Sequence, residues 1–278
     1  MSFVRADLPP GAHRTRYDVP GGPLAGVEIP GSRGTALLVP GFSGSKEDFG
    51  PLLPLLAAEG WRSVALDQRG QYASPGPDDA AAYSVDALAA DLLAVVDLLG
   101  RPVHLLGHSF GGLVARRAAL LRPRAVLSLT LLASGPAALT GPRTDVLALL
   151  PAVLAAGGLA AVADASEALS TLDPGTPEVP EPVRVFLRER WLASAGAGLV
   201  GMAQALRTEP DRVEALRGTG IPVLVLHGED DDAWPPEVQA RMAEQLGAAY
   251  EVVPQARHSP AVEAPGATAK ALLAFWGG

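Results

Sequence analysis

A serine set between glycines, a histidine near the C-terminus and a run of acids between them give this chain the residue types for nucleophilic chemistry on an acyl carbon. Ser109 lies in Gly107-His108-Ser109-Phe110-Gly111. The apolar stretch 103–106 leads into this pentapeptide, and the helix-forming stretch 112–119 leaves it. Strand, tight turn and helix together expose a strained serine hydroxyl above a sheet. Side chains at positions 107 and 111 would collide with the crossing strand and helix.

A serine hydroxyl is a poor nucleophile at neutral pH; it needs a base, and the base needs an orienting carboxylate. Of the five histidines, His13 belongs to an extended N-terminal segment and His104 to a buried strand. His108 adjoins the serine, but its place in the turn aims it away from the hydroxyl. His227 ends a strand and supports the loop that follows. His258 sits in a loop after the last strand, before the final helix, where it returns to the serine's edge of the sheet. It is the expected base. The acid is expected between Ser109 and His258. Glu229, Asp230, Asp231 and Asp232 follow an apolar strand and leave the choice among themselves open.

These residues need a scaffold, and the chain alternates short apolar runs with helical ones. Strands are expected at 14–19, 24–29, 35–39, 62–66, 103–106, 126–132, 223–227 and 250–253. Several are apolar throughout, as in parallel strands covered on both faces. Ser45 and Asp48 form a capping-box pattern, and Ser84 caps a helix that Gly100 ends near Leu99. The result is a mostly parallel, doubly wound α/β sheet of about eight strands. The alternation fails between 136 and 220, a stretch rich in Ala, Leu and Gly with amphipathic patches at 145–154 and 183–193. The domain reading is a core of residues 1–135 and 221–278 with a helical cap of residues 136–220.

Composition narrows the partners. Lys and Arg total 22 against 30 Asp and Glu, a net charge of −8 that opposes nucleic-acid binding. Arg116-Arg117 and the arginines of 184–190 read as solvated helix faces. With no cysteine there is neither a disulfide nor a thiolate metal site. The expected metal content is none, since four adjacent carboxylates on one loop do not converge on a single ion. No phosphate-cradling Gly-x-x-x-x-Gly-Lys occurs. Without a signal-peptide pattern or an uncharged apolar run of roughly 18 residues, no membrane span is expected and the chain reads as cytoplasmic. The bias toward Ala, Gly, Pro and Arg suggests a GC-rich bacterial source.

With these motifs in this order, the chain resembles the α/β-hydrolase superfamily, in its capped branch with a serine nucleophile. That branch holds esterases, lactonases, C–C bond hydrolases and cofactor-free haloperoxidases. The resemblance covers the chain except the cap. Its pattern Gly-x-x-Asp-x-x-x-Pro falls on Gly228, Asp231 and Pro235 and selects Asp231 as the acid. Its oxyanion loop falls on residues 40–45, implying that the N–H groups of Phe42 and Phe110 face the developing oxyanion. Pro40 replaces the usual histidine there, which affects loop rigidity more than chemistry. Asp67-Gln68-Arg69-Gly70 matches a structural turn in which Arg69 ties loops together. The resemblance implies no cofactor and an ester or related acyl bond in a small hydrophobic substrate, with Phe42, Trp191, Met202 and Trp234 lining an acyl pocket. Ser109 excludes relatives that attack with a carboxylate. An acyltransferase, a C–C hydrolase or lyase, a haloperoxidase or a small-molecule receptor would keep the same residues.

Overall fold

Along the central strands, alternate apolar side chains feed two separate cores. The computed structural model describes residues 7–172 and 179–277. Its strands are β1 (His13–Val19), β2 (Gly22–Ile29), β3 (Thr35–Val39), β4 (Arg62–Leu66), β5 (Val103–His108), β6 (Val126–Leu132), β7 (Val223–Gly228) and β8 (Ala249–Val253). They form one sheet in the order β1-β2-β4-β3-β5-β6-β7-β8. The β1–β2 and β2–β4 pairs are antiparallel and the rest are parallel.

The helices are α1 (Leu53–Ala58), α2 (Val85–Leu99), α3 (Phe110–Leu121), α4 (Pro142–Leu172), α5 (Glu181–Ala193), α6 (Gly196–Thr208), α7 (Val213–Arg217), α8 (Pro236–Leu246), α9 (Pro260–Glu263) and α10 (Pro265–Gly277). On one face of the sheet Leu37, Val39, Leu105 and Val225 pack with Leu88 and Leu92 of α2 and Leu113 of α3. On the other, Leu38, Leu106 and Leu224 pack with Leu53 and Leu56 of α1 and Leu272 and Trp276 of α10. Each such side chain contributes roughly 1.5–3 kcal/mol of burial. The expected stops of α2 are present: Ser84 Oγ accepts the Ala87 N–H at 3.3 Å, and Gly100 takes a left-handed φ of 73°. Because β3 to β8 run parallel, the loops that leave their C-terminal ends gather along one edge, where open α/β sheets hold their sites.

Between β6 and β7 lie α4 to α7. Two expectations fail here. The segment 145–154 is not amphipathic in the ordinary sense, since its outward side is itself apolar and Leu149 is 62% exposed. The chain also does contain an uncharged apolar run, Val146 to Ala163, inside a helix long enough to cross a membrane, whose most apolar 18-residue stretch has a mean hydropathy of 2.3 and is only 11% buried. Its alanines and glycines disguise it as small-residue filler. The backbone leaves helical geometry at Gly157 (φ −149°) and Gly158 (φ 65°), so α4 is two arms joined at a kink. At about 1.5 Å per residue neither arm reaches the ~30 Å of a hydrocarbon core.

Two arginines expected on solvated faces are instead buried. Arg190 of α5 reaches Asp48 Oδ1 at 2.6 Å. Arg116 of α3 is 1% exposed. Its guanidinium donates to the carbonyls of Gly135, Pro136 and Pro210 and to Glu209 Oε1, the last at 3.3 Å. One side chain thus holds the polypeptide both where it leaves the sheet after β6 and where it returns after α6. A helix turns about 100° per residue, so Arg116 points inward while Arg117 pairs with Asp86 at the surface. Arg116→Met should cost about 3–5 kcal/mol, the range for removing one partner of a buried ion pair. Chemical denaturation reads the loss, and limited proteolysis should show earlier cleavage within 136–220. A variant as stable and as resistant as wild type would show that the clamp contributes nothing.

Candidate active site

Ser109 joins the end of β5 to the start of α3 with φ 53° and ψ −120°. A non-glycine residue in such a region costs of order 1–3 kcal/mol and persists only where its surroundings impose it. The Ser109 N–H donates to the Leu132 carbonyl at 2.8 Å, and the Ser109 carbonyl accepts from Gly112 N–H at 2.9 Å and Ser134 Oγ at 2.8 Å. A Cβ at Gly107 would stand 2.2 Å from the Gly111 carbonyl oxygen, and one at Gly111 would stand 2.4 Å from that of Pro40. Gly107 therefore lets β5 and α3 cross, whereas Gly111, expected at the same crossing, instead lets α3 pass the end of β3.

The structure brings three of the expected side chains into one relay. Ser109 Oγ lies 2.9 Å from His258 Nε2, and His258 Nδ1 lies 2.9 Å from Asp231 Oδ1. A carboxylate only accepts, so Nδ1 carries the proton and Nε2 is left to accept from the serine hydroxyl. Asp231 is the buried acid of its loop, whereas Glu229, Asp230 and Asp232 are exposed. Its oxygens also accept the Ala233 N–H at 2.9 Å and the Gln239 amide at 2.8 Å. Burial by itself raises the Asp231 pKa; the hydrogen bond and charge of His258, with those two donors, outweigh it and hold the carboxyl below the usual range. Asp231, Asp232 and His258 have donor atoms within 4.8 Å of one another. A cation there would have to take Asp231 and His258 out of the relay.

The other histidines stand apart from the hydroxyl. His104 Nδ1 is 2.8 Å from Ser128 Oγ, and His227 lies between the Gly228 carbonyl and Tyr250 Oη. His108 Nε2 donates to the carbonyl of His258 at 2.7 Å, with the two rings 5.1 Å apart. It thereby ties the Ser109 turn to the loop that carries His258. Neither this contact nor that of Gln239 is signalled by residue type, because one partner is a backbone carbonyl and the other an isolated glutamine.

The loop 40–45 packs directly on the serine: a Cβ at Gly41 would stand 3.0 Å from Ser109 Cβ. Among the described residues, neither the Phe42 N–H nor the Phe110 N–H donates to another group of the chain. Arg69 chelates Asp91 through two hydrogen bonds of 2.9 and 2.7 Å and donates to the Ala82 carbonyl, tying its turn to α2. Phe42 meets Trp191 edge-on at 6.2 Å between ring centres. Both pack against Leu150 of α4 and Leu199 of α6. Met202 is buried with its sulfur 4.0 Å from Gln71 Nε2. Trp234 sits at the root of the cap, with its ring against Gly135 and its N–H donating to Ala137 at 3.3 Å.

Serine after β5, acid after β7 and imidazole after β8 set this molecule among hydrolytic α/β domains and apart from nucleotide-binding doubly wound sheets. The chain belongs to the alpha/beta hydrolase family, whose pattern matches residues 36–271. It is 40% identical over 96 residues to "Putative carbamate hydrolase RutD" of Stutzerimonas stutzeri (strain A1501), a match covering 34% of this chain and 36% of that protein. It is 28% identical over 210 residues to a non-heme chloroperoxidase of Streptomyces lividans, covering 70% and 73% of the two chains. A thermophilic esterase from Thermogutta terrifontis superposes with a TM-score of 0.77 at 25% identity, over 95% of this chain and 98% of that one. The matches span only 36% to 40% of the length of the carbamate hydrolase relatives.

Burial, followed by the neighbouring His258, pushes the pKa of His108 down to about 4. An unfolded imidazole titrates near ~6.5, so between that value and about 4 the unfolded chain binds a proton that folded His108 does not. Stability should therefore rise with pH across this window and fall as the pH is lowered through it. His108→Gln keeps an N–H donor within reach of the His258 carbonyl but cannot titrate. Urea midpoints measured from neutral pH down to the lower end of the window should fall less steeply for the variant. Identical slopes would place the acid sensitivity elsewhere.

Proposed function

We propose that the protein is a serine hydrolase that cleaves a carboxylic ester, or a related acyl bond, of a small uncharged hydrophobic substrate through an acyl-enzyme. The observation that carries this reading is the unbroken Ser109–His258–Asp231 relay, ending at a hydroxyl held on a strained turn. As Ser109 Oγ attacks the carbonyl carbon, its proton passes to His258 Nε2, and Asp231 stabilises the imidazolium that forms. The oxyanion of the tetrahedral intermediate takes the N–H groups of Phe42 and Phe110; a single such donor is worth roughly 10²–10³ in rate. Collapse expels the leaving group, which takes the proton from His258. Water then attacks the acyl-serine by the same route in reverse, with His258 again the base.

Support for a hydrophobic acyl group comes from Phe42, Trp191, Leu150 and Leu199, which pack together beside the serine loop. Support for an acyl bond comes from the similar esterase and from relatives named for carbamate hydrolysis. The mechanism enlists no cofactor.

A fluorophosphonate probe should label the protein once, on the peptide that contains Ser109, and nitrophenyl esters should give rising kcat/KM from acetyl to longer acyl chains. Ser109→Ala should remove labelling and lower kcat by roughly 10⁴ or more. Asp231→Asn should lower it by about 10⁴ through the wrong imidazole tautomer, while Asp230→Asn and Asp232→Asn stay near wild type. Ester turnover that survives Ser109→Ala would sink the acyl-enzyme, and equal losses at all three aspartates would sink the assignment of the acid.

A further inference from the structure

We propose, resting on the serine hydrolase reading above, that Gln71 is a positioning residue that aims the Phe42 N–H at the oxyanion. Within itself the loop 40–44 is held by a turn bond from Gly44 N–H to the Gly41 carbonyl. Pro40 has no N–H, Gly41 has no room for a side chain against Ser109, and Ser43 has a left-handed φ of 56°. The loop's carbonyls are further held from the neighbouring loop after β4. Gln71 Nε2 donates to the Gly41 carbonyl at 2.7 Å, and Gln68 Nε2 donates to that of Pro40 at 2.9 Å. Both glutamines are almost wholly buried.

The geometry of the Gln71 amide leaves no choice of orientation. Its Oε1 accepts the Gln68 N–H at 3.0 Å, so its NH₂ must be the end that meets Gly41. The Gly41 carbonyl and the Phe42 N–H belong to one rigid trans peptide and point in opposite directions. Fixing the oxygen on Gln71, with a second bond from Gly44 N–H at 3.1 Å, therefore fixes the direction of the hydrogen. The platform is itself anchored. Asp67 accepts the Lys46 N–H at 2.7 Å, the Lys46 ammonium at 2.8 Å and the Ala73 N–H at 3.2 Å. The Met202 sulfur closes the amide from the cap side. Without Gln71, the Gly41–Phe42 peptide keeps only the contact from Gly44 and is free to tilt, which weakens a donor that matters only once charge has developed.

Gln71→Leu and Gln71→His separate this role from a merely structural one. Both are assayed with nitrophenyl butyrate and with an alkyl trifluoromethyl ketone, whose serine adduct carries the same oxyanion. Gln71→Leu should lower kcat roughly 10- to 100-fold, with KM within about threefold of wild type, because the lost interaction belongs to the transition state. The inhibition constant for the ketone should rise by the factor by which kcat/KM falls. Gln71→His restores an N–H of similar reach and should recover most of both. If Gln71→Leu does not fold, Gln71→His alone decides, and a folded variant that loses ketone affinity overturns the proposal. So does a folded Gln71→Leu that keeps wild-type kcat, or that loses kcat without losing ketone affinity. A wild type that neither turns over esters nor takes the fluorophosphonate would overturn the hydrolase reading and this one with it. An active wild type indifferent to Gln71 would overturn only this one.

Discussion

The crossing of β5 and α3 at Ser109 is the constraint from which the rest of the site follows. A backbone at φ 53° and ψ −120° is not one that serine chooses. It exists because Gly107 lets β5 and α3 approach to contact, because Gly111 lets α3 meet the end of β3, and because Leu132 and Ser134 on β6 and its exit hold the turn from the side. The same closeness admits the loop after β3, whose Gly41 also touches the serine. The serine turn and the loop after β3 thus meet at one point because three elements are packed closely. A bulkier residue at any of the three glycines would separate them.

Around that point the polar work is done by side chains bonded to backbone. His108 holds the carbonyl of His258, Ser134 that of Ser109, Gln71 that of Gly41 and Gln68 that of Pro40. Each fixes a loop whose own side chains are small or absent. Carboxamides and a neutral imidazole serve this purpose well below an apolar cap, since they donate hydrogen bonds without placing charge in a poorly solvated region. Besides Asp231, charged side chains pair off in Lys46–Asp67, Arg69–Asp91 and Arg190–Asp48, where they bind one loop or helix to the next.

Much of this was legible in the sequence, and the divide between what was and was not has a physical origin. The central strands β3, β5, β6 and β7 announce themselves because a parallel strand covered on both faces is largely apolar, whereas the edge strands β1 and β8 are mostly exposed and carry a weaker mark. Ser109 and His258 announce themselves through their place after particular strands, whereas Asp231 is singled out among four adjacent acids only by the resemblance to a family pattern that falls on Gly228 and Pro235. Residues whose partners are carbonyls carry no such mark: a carbonyl belongs to every residue type, so nothing in the letters pairs Gln71 with Gly41 or Arg116 with Pro136. Arg116 also shares a dipeptide with Arg117, and only the helical turn separates the buried from the exposed one. The apolar length of α4 escapes notice for a different reason. Alanine and glycine read as neutral filler, although residues 146–163 together form the most apolar stretch of the chain.

The clamp at Arg116 has a consequence for how such molecules change over evolutionary time. Because one guanidinium grips the chain at Gly135 and Pro136 and again at Glu209 and Pro210, the sheet sees the intervening residues as a closed loop with a fixed base. The entropy of closing a loop grows only with the logarithm of its length. A segment half as long or twice as long, joined at the same four residues, would alter the stability of the core by little. Ser109, Asp231 and His258 all stand outside the clamped segment, which could therefore be exchanged as a unit without touching them.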